Sequence, residues 1–438
     1  LQKLKMNNSS LVQLLKMEEM TMETDAIDTD RHDTSYVSSE AIANVTESDE
    51  NCLNKEASVY EYPSLFTSKT LLELSNSSWS RSSKAADEIQ PYLRGCKWSP
   101  DGTCCLTVVN NDGVHITELP RDLYSGSVTS DRMINILDSI IHVKEAGLIY
   151  DFCWYPGMNS SVPESCCWLT TRQNAPIQMW DAFDGSLRCS YRGFNAVDEM
   201  EPAIALTFTR DGTKIIAGYK KYFRTFDVER LALKLFIDRK MYYKLLLYCY
   251  LVSSNLFLLS FPGGVTHLKF APDGLRLVSG ARRDHRLLVW DIRYFRKPLN
   301  ILSRVASTNQ RVYFDISPCG KYLVTGGTDG VVKVWDINNI DWKSSIDFQL
   351  HRDCCNSVSI HPCRPILATG SGQYHFEDPT IAEDIYKNSS LNNEQTNLSD
   401  KESVNGPENK DFVDMKYSSI SENCLVFWWI GDANLTDT

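Results

Sequence analysis

The chain has 438 residues, 42% of them apolar and 11% aromatic, enough to bury a sizeable core in one large domain or two to three ordinary ones. Its formal charge of -11 argues against a nucleic-acid partner only until the charges are placed. Residues 1–88 carry 16 acidic and 8 basic side chains and residues 374–423 carry 11 and 4, which leaves a net +4 on the other 300 residues.

The sequence begins at Leu1 and reaches its first methionine at Met6, which points to a piece of a longer chain or an imperfect gene model. Residues 1–20 lack the charged, apolar and cleavable order of a secretory signal, so secretion is not expected. Residues 1–58 are rich in Ser, Thr, Asn, Asp and Glu, and are expected to form a disordered acidic N-terminal region.

From about Trp79 a repeat sets in. Each unit has an apolar strand, a tight turn such as Pro-Asp-Gly, a second strand ending in small residues, a polar loop, and a third strand ending in Trp-Asp. Six copies align, at 96–119, 152–181, 206–227, 266–291, 312–336 and 356–372, and the last resumes as CLVFWW at 424–429. The anchor aromatics Trp180, Phe226, Trp290 and Trp335 are 46, 64 and 45 residues apart, while a four-stranded unit takes roughly 40–45. Trp98 anchors the first copy. The long middle interval holds 229–262, an irregular apolar segment without turn signals, where one unit is degenerate or its sequence has been lost. Within it, Leu245–Phe261 is apolar over 17 residues, but that is short for a membrane span and Ser253, Ser254 and Asn255 interrupt it. No membrane partner is expected.

Units of this period ending in Trp-Asp resemble WD repeats and imply an all-β fold, a WD-repeat β-propeller over 59–432 with six recognisable blades. A single four-stranded blade cannot bury both of its faces, so blades close into a ring. A strand near 65–80 is expected to complete the last blade. The stretch 374–423 reads as a disordered acidic insertion within that blade, and 433–438 as a C-terminal tail.

The 14 cysteines include no Cys-x-x-Cys, and three pairs are adjacent (Cys104/Cys105, Cys166/Cys167, Cys354/Cys355). Neighbours on a strand face opposite ways, so reduced thiols of an intracellular protein are expected, with no metal and no cofactor. No nucleophile elbow, His-Glu-x-x-His or phosphate-binding glycine loop occurs, so neither an enzyme nor a small-molecule substrate is expected.

Asp284 and Asp329 each precede a Trp by six residues, where a carboxylate can accept hydrogen bonds from the turn leading into the third strand; both are read as structural. The loops in this register share one rim and carry cations: Arg172 in TTRQN, Lys220 and Lys221 in GYKKY, and Arg282, Arg283 and Arg286 in ARRDHR. Lys220 stands where other blades have Asp. Arg311 and Tyr313 in NQRVYF are expected near the same rim. Guanidinium groups pair with phosphates and stack on bases, and with Tyr219 and Tyr222 nearby this pattern suits single-stranded RNA loops.

The strings YLRGCKWSPDGTC, NNDGVHITELPRDLY, WDAFDGSLRCSYRGFNAVDE, SGARRDHRLLVWDIR and STNQRVYFDISPCGKYLVTGG are more specific than a generic WD repeat. They resemble the telomerase Cajal body protein family over about 75–230 and 263–375 and the final strand. The resemblance implies a seven-bladed scaffold that recognises a box in the loops of H/ACA small Cajal body RNAs, and telomerase RNA where present. Partners would be those RNAs and H/ACA ribonucleoprotein subunits. Localisation would be the nucleus and Cajal body, with telomeres and cytoplasm as further sites, and the role would include telomere maintenance. A protein-only adaptor assembling a nuclear complex is the alternative.

Overall fold

Short alternating apolar runs between Asp-Gly turns favour antiparallel strands over helices. The computed structural model describes residues 65–79, 90–219, 222–228, 264–338, 345–375 and 422–431, apart from 126, 127, 130, 146, 196 and 295. The chain first lays down β1 (Leu72–Ser78). Blade 1 then forms from β2 (Leu93–Trp98), β3 (Cys104–Val109) and β4 (Gly113–Glu118); β5 (Asn135–Ile136) leaves to pair with β1, and β6 (Ile141–Val143) completes the blade. Blade 2 holds β7 (Ile149–Trp154), β8 (Cys167–Arg172), β9 (Ile177–Asp181) and β10 (Leu187–Tyr191). Blade 3 has three described strands, β11 (Ala205–Phe208), β12 (Lys214–Gly218) and β13 (Phe223–Asp227).

Blade 4 is β14 (Val265–Phe270), β15 (Arg276–Ala281), β16 (Arg286–Asp291) and β17 (Asn300–Ser303). Blade 5 is β18 (Phe314–Ile316), β19 (Tyr322–Thr325), β20 (Val331–Asp336) and β21 (Ile346–Gln349). Blade 6 takes β22 (Cys355–Ile360), β23 (Ile366–Ser371) and β24 (Cys424–Trp429), then β1 and β5. The protein is an all-β propeller whose described residues form six blades and hold only two short 3-10 turns, Arg121–Ser125 and Pro163–Ser165. The expected closing strand is β1, antiparallel to β24 from Leu72 opposite Trp429 to Ser78 opposite Cys424.

Residues 1–58, 229–262, 376–421 and 433–438 lie outside the described residues, and with them the expectations of disorder, of an irregular blade and of the apolar stretch 245–261. Among the described residues no helix is long and apolar enough to cross a membrane.

The core lies in layers between successive blades. Adjacent cysteines do face opposite ways: Cys104 enters the layer holding Trp168, and Cys105 the layer holding Phe427. Full burial of such a Trp, Phe or Leu contributes on the order of 1.5–3 kcal/mol relative to exposure. Trp180, Trp290 and Trp428 donate Nε1–H to Thr170, Ser279 and Thr369 on the neighbouring strand at 2.9, 2.8 and 2.7 Å. Trp335 and Phe226 are buried on the third strands of their blades. Trp98 differs, since it ends the first strand of blade 1 and packs on Phe427 at 4.6 Å and His361 at 4.8 Å. Asp284 and Asp329 accept the backbone N–H of Arg286 at 2.9 Å and of Val331 at 3.2 Å, holding the turns into β16 and β20.

Candidate nucleic-acid interface

In blades 1, 2, 4 and 6 the loop that follows the second strand is tied to the segment leading into the first. Backbone bonds run from Asn110 to Tyr92 at 2.8 Å, Gln173 to Leu148 at 3.0 Å, Arg282 to Gly264 at 3.1 Å and Gly372 to Cys354 at 3.0 Å. These two sets of loops therefore share one face of the disc. On blade 4 the turn Arg282–Arg283 projects from that face. Arg283 has φ 48, a left-handed conformation that reverses the chain in a single residue. Both arginines are exposed, and no described residue engages either guanidinium. The Arg283 amide also donates to Thr308 O at 3.3 Å, joining this turn to the segment that carries Gln310 and Arg311.

That segment leads to the centre of the ring. The first strands of blades 1, 2, 4 and 6 each shift register at the loop-face end, and the residues at the shift are Arg94, Tyr150, Thr266 and Asn356. A bulge adds one residue and re-aims its side chain. Arg94 thus donates to Ile149 O at 2.5 Å and Asn356 to Gly372 O at 2.6 Å. Lys97 donates to Phe152 O at 2.6 Å with its ammonium 4.4 Å over the Phe152 ring. Arg311 donates to Asp151 at 2.8 Å and to the Tyr313 hydroxyl at 3.1 Å. Asp151 also accepts the Leu206 amide at 3.0 Å.

Three cations, Arg94, Lys97 and Arg311, therefore surround one carboxylate. Burial pushes the Asp151 carboxyl up, but Arg311 and Lys97 more than offset it and hold it below the usual range. Burial likewise opposes the Arg311 charge, and Tyr313 and Asp151 overcome it. Arg94 is held below the ordinary arginine value by burial, with the Arg311 charge adding to the effect. Between Arg94, Tyr150, Gln310 and Arg311 lies a cavity of about 30 Å³, room for roughly one water and too small for a base. Arg304, buried at 2% exposure, donates to Val312 O at 2.9 Å and Thr325 Oγ1 at 3.0 Å, fixing the backbone between Arg311 and Tyr313.

The cations singled out in the sequence thus separate. Arg282 and Arg283 stand exposed together. Arg286 is exposed but Asp284 grips it through Nε at 2.9 Å and Nη2 at 2.8 Å. Arg172 is half-buried beside Gln178 at 3.5 Å. Arg311 and Tyr313 are not on the rim: Arg311 is paired at the ring centre and Tyr313 is 5% exposed, because the segment leading into β18 runs inward beside β22, where Tyr313 N donates to Asn356 O. Lys220 and Lys221 lie outside the described residues. Arg94, Lys97 and Gln310 were missed, since a bulge displaces Arg94 from the simple alternation of YLRGCKW.

Sheets radiating from a plugged centre, with charged loops gathered on one face and Trp anchors bonded across strands, define a WD-repeat β-propeller scaffold. The family model for the WD domain, G-beta repeat, matches residues 256–291 and 304–336. The chain is 40% identical over 390 residues to the telomerase Cajal body protein 1 homolog of Drosophila melanogaster, covering 82% of this chain and 69% of that one. It is 37% identical over 341 residues to telomerase Cajal body protein 1 of Homo sapiens, covering 70% of this chain and 61% of the relative. The chain belongs to the telomerase Cajal body protein 1 family, and it spans about three fifths of the length of its mammalian relatives.

Proposed function

We propose that the loop face binds single-stranded loops of RNA, with the exposed Arg282–Arg283 turn as its leading contact and the cationic ring centre behind it. The observation that carries this reading is that two exposed guanidinium groups have no partner among the described residues. Arginine forks match phosphate oxygens and stack on splayed bases. The names of the fly and human relatives point to telomerase and Cajal bodies; the client class we infer is H/ACA small Cajal body RNAs carrying a loop box, and telomerase RNA where it has one. Binding would bring the ribonucleoprotein, with its H/ACA subunits, to Cajal bodies in the nucleus, and so support telomere maintenance at telomeres. In this role the protein is a scaffold and not an enzyme.

The test compares a hairpin carrying the box with a box-scrambled hairpin. The scrambled hairpin is expected to bind more weakly. Arg282→Ala with Arg283→Ala weakens binding to the box hairpin and leaves the melting temperature nearly unchanged, because neither side chain packs against the core. If each arginine meets one phosphate of a single strand, the dependence of log K on log salt flattens by about 1.4. Equal binding by the double variant removes these residues from the interface.

One feature favours a protein-binding adaptor as the second reading. Met133, Ile134, Ile136 and Ile140 are 82%, 52%, 79% and 51% exposed around the edge strand β5. Exposed aliphatic clusters of this kind commonly bind proteins. This reading gains if no RNA is recovered after ultraviolet cross-linking and stringent purification while proteins co-purify.

A further inference from the structure

Away from the loop-face centre, one group of side chains on blade 1 has the composition and spacing of a metal site. His115 on β4 and His142 on β6 are direct cross-strand partners, which places both rings on one side of the sheet. Asp112, in the turn before β4, reaches both. Its Oδ2 lies 2.9 Å from His115 Nε2 and its Oδ1 lies 3.3 Å from His142 Nε2. The three donor atoms all fall within 4.8 Å of one another.

The surroundings are built for those positions. Gly113 has φ 121, and a Cβ there would stand 2.1 Å from Val143 O, so the turn carrying Asp112 closes directly on the strand carrying His142. His115 is buried, with Nδ1 2.9 Å from Ser139 Oγ and the Trp79 ring 5.4 Å away. The His142 and Asp112 side chains are 30% and 33% exposed, which leaves a route from solvent.

We propose that Asp112, His115 and His142 bind a divalent transition-metal ion of the zinc class. Two imidazoles and one carboxylate are hard-to-borderline donors suited to such an ion, and three protein ligands leave a tetrahedral position for water. In the metal-free site the Asp112 carboxylate accepts a hydrogen bond from His115 Nε2–H, and the Asp112 backbone carbonyl accepts one from His142 Nε2–H at 3.1 Å. On binding, each neutral ring carries its proton on Nδ1, Nε2 turns its lone pair to the ion, and His115 Nδ1–H donates to Ser139 Oγ, the usual outer support of a metal-bound histidine. The rings stack 4.1 Å apart at 13°, so their lone pairs run side by side. His115 is held by Ser139 and Trp79; His142, the exposed ring, is the one that turns. The ion then ties the β3–β4 turn to the outer strand of blade 1.

The test uses the full chain stripped of metal and titrated with Co²⁺ as the probe, followed by Zn²⁺ displacement. A second trio, His351, Glu422 and Cys424, contains a thiol, so the spectrum must separate the two. The expected signal is ligand-field absorption without a sulfur-to-cobalt charge-transfer band, and Zn²⁺ abolishes it. His142→Ala and Asp112→Asn lose that signal while keeping the wild-type melting temperature without metal. Ser139→Ala keeps it with affinity about tenfold weaker. The proposal is overturned if wild type and His142→Ala bind Co²⁺ alike, or if all absorption carries the sulfur band.

Discussion

Arg311 and Asp151 meet at 2.8 Å although they belong to blades 5 and 2, which are not neighbours in the ring. The Phe152 and Tyr313 rings beside them lie 6.4 Å apart, and a Cβ on Gly95 of blade 1 would come within 3.0 Å of both. The centre of the disc is therefore a packed plug with a charged top, not an open pore. Glycine at 95 is what allows three blades to converge there.

Removing one partner of this pair strands a charge in a site with little water. Asp151→Ala is expected to destabilise the protein by about 3–5 kcal/mol, more than typical single substitutions. Urea unfolding measures it. A loss under about 1 kcal/mol would mean that solvent reaches Arg311 freely.

Asp284 has two duties that pull in opposite directions. It holds the turn by accepting the Arg286 amide, and it neutralises the Arg286 guanidinium. Asp284→Asn should cost about 1–2 kcal/mol of stability and remove one negative charge beside the Arg282–Arg283 turn, so RNA binding tightens and its salt dependence steepens. Hairpin titrations at several salt concentrations report this; weaker binding at every salt would contradict it.

His361 makes the fold sensitive to mild acid. Its Nε2–H donates to Gly102 O at 2.8 Å, and Nδ1 accepts the amides of Cys363 at 3.1 Å and Arg364 at 3.0 Å. Both bonds to Nδ1 require a neutral ring. Burial, and then the Arg364 charge, push the pKa down to about 4. The unfolded chain takes up its proton near 6.5. Between those values the unfolded state binds more protons, so the stabilisation is complete above pH 6.5 and fades as pH falls toward 4, by about 3 kcal/mol in all. The half-buried His267, held far below its ordinary value by desolvation and then by Arg311, Lys97 and Lys269, acts in the same direction. Urea midpoints for wild type and His361→Gln should converge as pH falls from 7.5 to 4.5. A constant gap would assign the acid response to other groups.

Trp290 donates to Ser279 Oγ at 2.8 Å within a fully packed layer. Trp290→Phe keeps an aromatic ring but loses the donor and part of the volume, and about 1–3 kcal/mol is expected in chemical denaturation. Ser279→Ala, which leaves the indole N–H buried and unmatched, should cost a similar amount.

The repeat pattern made most of the architecture legible, because each blade must satisfy the same strand-and-turn chemistry. CLVFWW was legible as the resumption of the repeat that holds ILATGS, and a strand near 65–80 as the one needed to close the ring; β24 and β1 stand in those places. The interface was less legible. Arg282 and Arg283 share a turn, so sequence proximity placed them together. Arg94 and Asp151 approach Arg311 from distant parts of the chain, and the bulge at Arg94 upsets the two-residue alternation on which inward and outward assignments depend. Glu422 stands six residues before Trp428, as Asp284 does before Trp290, and although burial pushes its carboxyl up, the hydrogen bond and charge of His351 more than offset this and bring it down to about 2; that spacing was the available signal. The cross-strand pairing of His115 and His142 could not be seen without the register, since the segment between them leaves blade 1 to pair with β1.

The pairing of β1 with β24 has a consequence for biogenesis. Ser78 leaves the ribosome long before Cys424, and at ordinary elongation rates its partner follows after roughly 20–70 s. Throughout that interval Leu72 and Leu74 have no lasting shelter and the nascent sheets have no last neighbour. Substitutions in these two strands should therefore lower the yield of newly made protein far more than they shorten the lifetime of molecules already closed.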